Sequence, residues 1–150
     1  MKDIEIIGLD EVLESLHTLK SKTENLEPLL RQVGQFIQNA TEDSFEEQKS
    51  PFGHAWKPNK KKPKNNSSKK ILIDSGILRG SFTVDADDNE VSVGTNVVYA
   101  AIHHFGGKAG RNRGVKIPAR PFMPIDSGGN MPSDLVSEIM EYLADELMEE

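Results

Sequence analysis

Phe82-Thr83-Val84-Asp85-Ala86-Asp87-Asp88-Asn89-Glu90-Val91-Ser92-Val93-Gly94 decides the fold class. Phe82 and Val84 on one side, and Val91 and Val93 on the other, alternate with small or polar residues at the period of a strand. Acids and an asparagine fill the segment 85–90 between them. Two alternating runs around a polar tip predict a β-hairpin with an acidic loop. What flanks this hairpin is helical, so the sheet is antiparallel with helices beside it.

Upstream, Leu26, Leu30, Val33, Ile37, Ala40 and Phe45 form one apolar stripe, predicting a long helix over 26–48. Pro28 must then sit in the first turn, where a missing N–H costs nothing. Gly34 inside the stripe costs about 1 kcal/mol against alanine, and close approach of another backbone would explain it. Further upstream, Ile4 and Ile6 alternate as a short strand over 2–7. Leu9, Val12, Leu13, Leu16 and Leu19 predict a helix to about residue 20, with Asp10 as its N-cap. Downstream, Val98, Ala101, Ile102 and Phe105 predict a short helix capped by Thr95 or Asn96. GGKAGRNRG over 106–114 reads as a flexible loop, and Val115-Lys116-Ile117 as a strand ended by Pro118. Leu135, Ile139, Leu143 and Leu147 stripe a final helix that begins near Pro132-Ser133-Asp134. The strands and helices do not alternate as a doubly wound parallel sheet requires. The expected class is α+β: a small antiparallel sheet with a long helix and further helices packed on it, and long mobile loops.

The 150 residues fit a single domain over 1–150. The chain has no cysteine, which excludes disulfides, thiolate metal sites and cysteine nucleophiles. No apolar run approaches the roughly 20 residues of a membrane span. The opening MKDIEIIGLDEVLESL carries acids where a signal peptide would be apolar. The expectation is a soluble protein that makes no membrane contact and stays where it is made.

Charge is split into blocks. Residues 1–50 hold five basic and eleven acidic groups, 51–120 thirteen basic and five acidic, and 121–150 eight acids and no base. Such asymmetry speaks to partners, including other copies of the chain. The stretch 49–70 has no periodicity, and its lysine- and asparagine-rich part, 59–70, cannot bury enough apolar surface to order itself. It is expected to be a mobile basic loop.

No constellation of catalytic residues emerges. His103-His104 are adjacent, and neighbours on a helix point about 100° apart, so they do not converge on one metal. Solvated or hydrogen-bonded helix-end histidines are the simpler reading. Gly107-Lys108 is followed by Ala109 and then a strand, against the helix and hydroxyl that a phosphate-binding Walker loop requires. Ser75 and Ser81 lack a nucleophile-elbow context. The lysine run 60–64, with Lys57 and Trp56 nearby, could contact nucleic-acid phosphates, but one short run is a weak signal and a solvated loop is the simpler reading. Trp56 is expected to anchor the loop start to the core. Pro118-Ala119-Arg120-Pro121-Phe122 is a rigid box. It either presents Arg120 and Phe122 to a partner or packs Phe122 inward.

Five boxes follow in order. They are Gly53-x-x-Trp56-x-Pro58, then Ile71-Leu72-x-x-x-Gly76-x-Leu78-x-x-Ser81-Phe82, then Val91-x-Val93-Gly94-Thr95-Asn96. Tyr99-Ala100-x-x-His103-x-Phe105-Gly106 and Ile117-Pro118-Ala119-Arg120-Pro121-Phe122 complete the set. Together these resemble the phage virion morphogenesis family, the tail completion proteins of Mu-like and related tailed phages. The likeness runs from the first helix to Phe122. The lysine-asparagine loop is more polar than the family pattern, and a glycine-containing linker over 128–132 precedes an unusually acidic helix at about 132–149.

The resemblance implies a non-enzymatic structural protein without a cofactor, encoded by a phage or prophage. It would be assembled in the bacterial host cytoplasm and located in the virion. Its partners would be other copies of itself in a ring and phage tail or neck proteins, with DNA close by. Within that expectation Trp56, Arg111, Arg113, Arg120 and Phe122 are the candidate partner contacts. The arginines would pair with Glu138, Glu141, Asp145 and Glu146 of a neighbouring copy. The alternative is a small nucleic-acid-binding module using the basic middle block.

Overall fold

The computed structural model describes Glu14, Thr18 and residues 25–58, 71–73 and 76–148, without the side chains of 147 and 148. The class is α+β. A long helix spans Glu27–Glu47, a short one Ala100–Phe105 and a third Ser133–Met148. Strands β1 (Thr83–Ala86) and β2 (Val91–Gly94) form one antiparallel pair, and β3 (Gly107–Ala109) and β4 (Val115–Ile117) another. The expected strand over 2–7, and residues 59–70 of the mobile basic loop expected at about 49–70, lie outside the described residues. So does the first helix, except that Glu14 and Thr18 are helical, with the Thr18 hydroxyl donating to the Glu14 carbonyl at 3.0 Å.

The chain divides into two compact units. One draws on Lys2–Ala40, Thr83–Gly94 and Ile125–Glu150, the other on Thr41–Phe82 and Thr95–Pro124. The long helix contributes to both.

In the first unit the helix starts where the stripe placed it. Leu26, Leu29, Leu30, Val33 and Ile37 are buried, each such side chain contributing about 1.5–3 kcal/mol. The β1–β2 tip reaches the helix start. Asp88 Oδ1 accepts the Glu27 N–H at 3.3 Å, putting an anion at the positive end of the helix dipole. Arg31 donates to Glu27 Oε1 at 2.8 Å and to the Ala86 carbonyl at 3.3 Å. The tip itself is closed by Asp87, whose carboxylate accepts the N–H groups of Asn89 and Glu90. Gly34 is explained by close approach, though of side chains and not of backbone. A Cβ there would stand 2.5 Å from Val84 Cγ1 and 2.7 Å from Val91 Cγ2. In the helix Ser133–Met148, Leu135, Ile139 and Leu143 are buried as the spacing predicts, and Tyr142 meets Phe36 edge-on at 5.5 Å.

The second unit is built around aromatic rings. Phe45, fully buried near the helix end, stacks on Phe122 at 5.2 Å and meets Trp56 edge-on at 5.5 Å. Phe82 meets Phe122 edge-on at 5.4 Å. The helix ends in a left-handed residue, Gln48, with φ 59°. The Lys49 N–H then reaches the Ser44 carbonyl at 3.3 Å, the long bond of a Schellman closure. The Gln48 side chain satisfies one more helix-end carbonyl, that of Phe45, at 2.7 Å, and pairs with both backbone groups of Ile71.

Two expectations need correction here. The glycine-rich stretch 106–114 is not a loop throughout: 107–109 is β3, paired with β4 in the register Gly107↔Ile117, Lys108↔Lys116 and Ala109↔Val115. Glycine weakens strand propensity, and the glycine just before β3 permits a close approach. A Cβ on Gly106 (φ 76°) would lie 2.8 Å from the Ala119 nitrogen. The short helix also begins later than expected. Tyr99 precedes it without a side-chain cap, while Thr95 accepts the Val97 N–H at 3.1 Å and pairs with the Ser81 hydroxyl. Val98, expected on the helix, lies in the turn before it and is exposed.

Candidate functional site

Five candidate residues fall in the second unit, in two different settings. The first is a buried clamp made by the Pro118-to-Phe122 box. The Arg120 N–H donates to the His103 carbonyl at 2.8 Å, which ties the box to the short helix. Its Nε donates to the Lys57 carbonyl at 2.9 Å, and the Trp56 Nε1–H donates to the Pro121 carbonyl at 2.8 Å. These two bonds run in opposite directions between the box and the loop that follows the long helix. The Trp56 N–H also donates to the Gln48 carbonyl at 3.0 Å, and Lys49 bridges Ala55.

His104 completes the clamp. Its Nδ1 accepts the N–H groups of Phe122 at 3.2 Å and Met123 at 3.4 Å, and its ring meets Phe122 edge-on at 5.0 Å. An acceptor Nδ1 is unprotonated, so the proton of the neutral ring sits on Nε2. Burial pushes the His104 pKa down to about 4. The preceding residue differs: the His103 Nδ1 is buried without a hydrogen-bond partner among the described residues. Burial, and secondarily the Arg120 charge, lower its pKa as well. His104 is therefore structural in geometry. It is committed to two backbone amides, and no group of three or more metal-ligating side chains occurs among the described residues.

The second setting is the exposed β3–β4 hairpin. Its register places Lys108 directly opposite Lys116. A short turn over Arg111–Arg113 carries the two arginines, with Asn112 and Arg113 both in the left-handed region at φ 59° and 51°. All four cations are exposed, and none forms an ion pair or side-chain hydrogen bond among the described residues. The reason lies partly in the sequence: no Asp or Glu occurs from 91 to 125. Beside them, Phe105 is 68% and Val115 55% exposed.

The structure thus separates the candidates. Trp56, Arg120 and Phe122 converge on one clamp and are buried, at 5%, 7% and 1% exposure. Arg120 and Phe122 are turned inward by the box, because the flanking prolines set its path across the short helix and the rings complete the core. The inward packing of Phe122 is one of the two sequence readings of the box. Arg111 and Arg113 remain at the surface, joined there by Lys108 and Lys116. Local pattern singles out neither lysine: Lys108 lies in a stretch that reads as a loop, and Lys116 in a strand whose pairing partner the sequence does not reveal. The signal available was the acid-free run from 91 to 125. On the helix Ser133–Met148 the acids Asp134, Glu138, Glu141 and Asp145 are exposed at spacings of four, three and four, which place them along one side. Glu146 is half-buried and stands off this stripe.

Residues 7–148 match the model of the phage virion morphogenesis family. The chain is 38% identical over 142 residues to the Mu-like prophage FluMu G protein 2 of Haemophilus influenzae, covering 95% of this chain and 96% of that one. Over 62 residues, 39% of this chain and 38% of the relative, it is 42% identical to a protein of Escherichia phage Mu bearing the name "Putative capsid assembly protein G". No solved structure matches significantly.

Proposed function

The chain belongs to the phage virion morphogenesis family, and from that premise we propose that it is a non-enzymatic structural protein of tail completion or head–tail joining, working as one subunit of a ring. The observation that carries this reading is the match to the family and to the Haemophilus prophage protein over nearly the whole of both chains. The name of the phage Mu relative points to capsid assembly, the head side of the same process. The site geometry supports a binding role over a catalytic one. The buried polar side chains of the clamp, Trp56, His104 and Arg120, donate to or accept from backbone groups, and the exposed cations form a surface unpaired among the described residues with apolar residues beside it. Charged rims around exposed apolar groups suit contacts between proteins. No helix among the described residues is long and apolar enough to cross a membrane.

The test is genetic and visual. A phage or prophage lacking this gene should yield heads and tails that fail to join, or tails of abnormal length, under the electron microscope. Supplying the gene in trans should restore joined particles. Normal particles without the gene would overturn the reading.

A further inference from the structure

Building on the assembly reading, we infer that the basic β3–β4 hairpin of one copy docks on the acidic side of the helix Ser133–Met148 of a second copy. Lys108 and Lys116 are cross-strand partners. Like charges directly opposite destabilise a sheet, and no carboxylate among the described residues pairs with either lysine. Arg111 and Arg113 extend the same cationic hairpin, with Arg113 held at a left-handed backbone angle that most side chains avoid. Four cations on one short hairpin, two on its strands and two on its turn, none of them paired among the described residues, are explained by an anionic surface supplied from outside.

The chain carries a surface of matching charge and size. Asp134, Glu138, Glu141 and Asp145 run along one side of the helix, and no base occurs from 121 to 150. The run from 134 to 145 covers about 16 Å at 1.5 Å per residue. From the Lys108–Lys116 pair to Arg111 and Arg113 is three residues on each side, about 10 Å at 3.4 Å per residue, so the cations fit within the length of the stripe. Arginine can grip a carboxylate with two parallel hydrogen bonds, which fixes orientation. Phe105 and Val115 add exposed apolar area beside the cations. The two surfaces are unlike, so the contact is head to tail. Repeated with a closing rotation it forms a ring, and without closure a filament.

The absence of cysteine makes the test clean. Lys116→Cys and Glu138→Cys variants are oxidised separately and as a mixture, both as purified full chains and in assembled particles. Both sites are exposed, so neither change disturbs the core. The expected result is a disulfide dimer from the mixture and none from either variant alone, with the yield falling as salt rises from 0.1 to 1 M. Independently, Lys108→Glu with Lys116→Glu should weaken self-association at least tenfold. Glu138→Lys with Glu141→Lys in the other copy should restore it.

Cross-linking of either variant with itself as efficiently as in the mixture would overturn the head-to-tail contact. No cross-link in either preparation would overturn it too. So would retardation of a duplex oligonucleotide by the parent, abolished by the lysine reversals, if no cross-link forms; the hairpin would then be a phosphate-binding surface. Particle morphology separates the two readings. A mixed cross-link together with normally joined particles in the gene deletion would leave the contact standing and remove the assembly role.

Discussion

The Nδ1 of His104 takes up the backbone N–H of Phe122 at 3.2 Å, and it can do so because burial keeps the ring neutral. The folded pKa, about 4, lies below the ordinary value of 6.5. The unfolded chain therefore binds the proton first as pH falls. Stability from this group is fully present above about pH 6.5 and is lost progressively down to about pH 4. The loss is of the order of 3 kcal/mol. Urea midpoints at pH 7.5 and pH 5 should differ more for the parent than for a His104→Asn variant. Equal differences would show that His104 is not the group responsible.

The Trp56 side chain joins the core by its rings and by one hydrogen bond, and two substitutions separate these. Trp56→Ala should cost about 3–5 kcal/mol, the range for truncating a buried aromatic. Trp56→Phe keeps an apolar ring but strands the Pro121 carbonyl, and should cost about 1–3 kcal/mol. Denaturant melts read both values. An alanine variant as stable as the parent would place the indole outside the core.

Gly34→Ala should destabilise despite the gain of about 1 kcal/mol in helix propensity. The new methyl meets Val84 and Val91, whose branched side chains are stiff, and overpacking of this kind costs about 1–3 kcal/mol. Adding Val84→Ala should recover part of the loss. A stabilised Gly34→Ala single variant would contradict the close approach.

Arg120 and Arg113 look alike in the sequence and should behave differently. Arg120→Glu puts an acid in a buried position beside the Lys57 carbonyl and should lower the melting temperature sharply. Arg113→Glu, at the exposed hairpin turn, should leave stability within about 0.5 kcal/mol of the parent. Thermal melts of the two purified variants test this, and similar melting temperatures would show the clamp to be less constrained than its hydrogen bonds indicate.

Local pattern determined much of this protein. Alternation at Phe82, Val84, Val91 and Val93 specified the β1–β2 hairpin. The 3.6-residue stripes specified the long helix and the helix at 133–148, because which face is buried is written directly into the spacing of apolar residues. The charge blocks specified a basic middle and an acidic end. Tertiary structure alone decided the rest. Gly107 to Ala109 has no strand signal of its own and becomes a strand because β4 supplies its hydrogen-bond partners. Gly34 is required by two valines about fifty residues away, and no local rule carries that distance. Arg120 and Arg113 have the same side chain and opposite fates. A long cation can bury its guanidinium only where backbone carbonyls await it, and the Lys57 carbonyl, 63 residues away in sequence, meets Arg120 only in the folded chain.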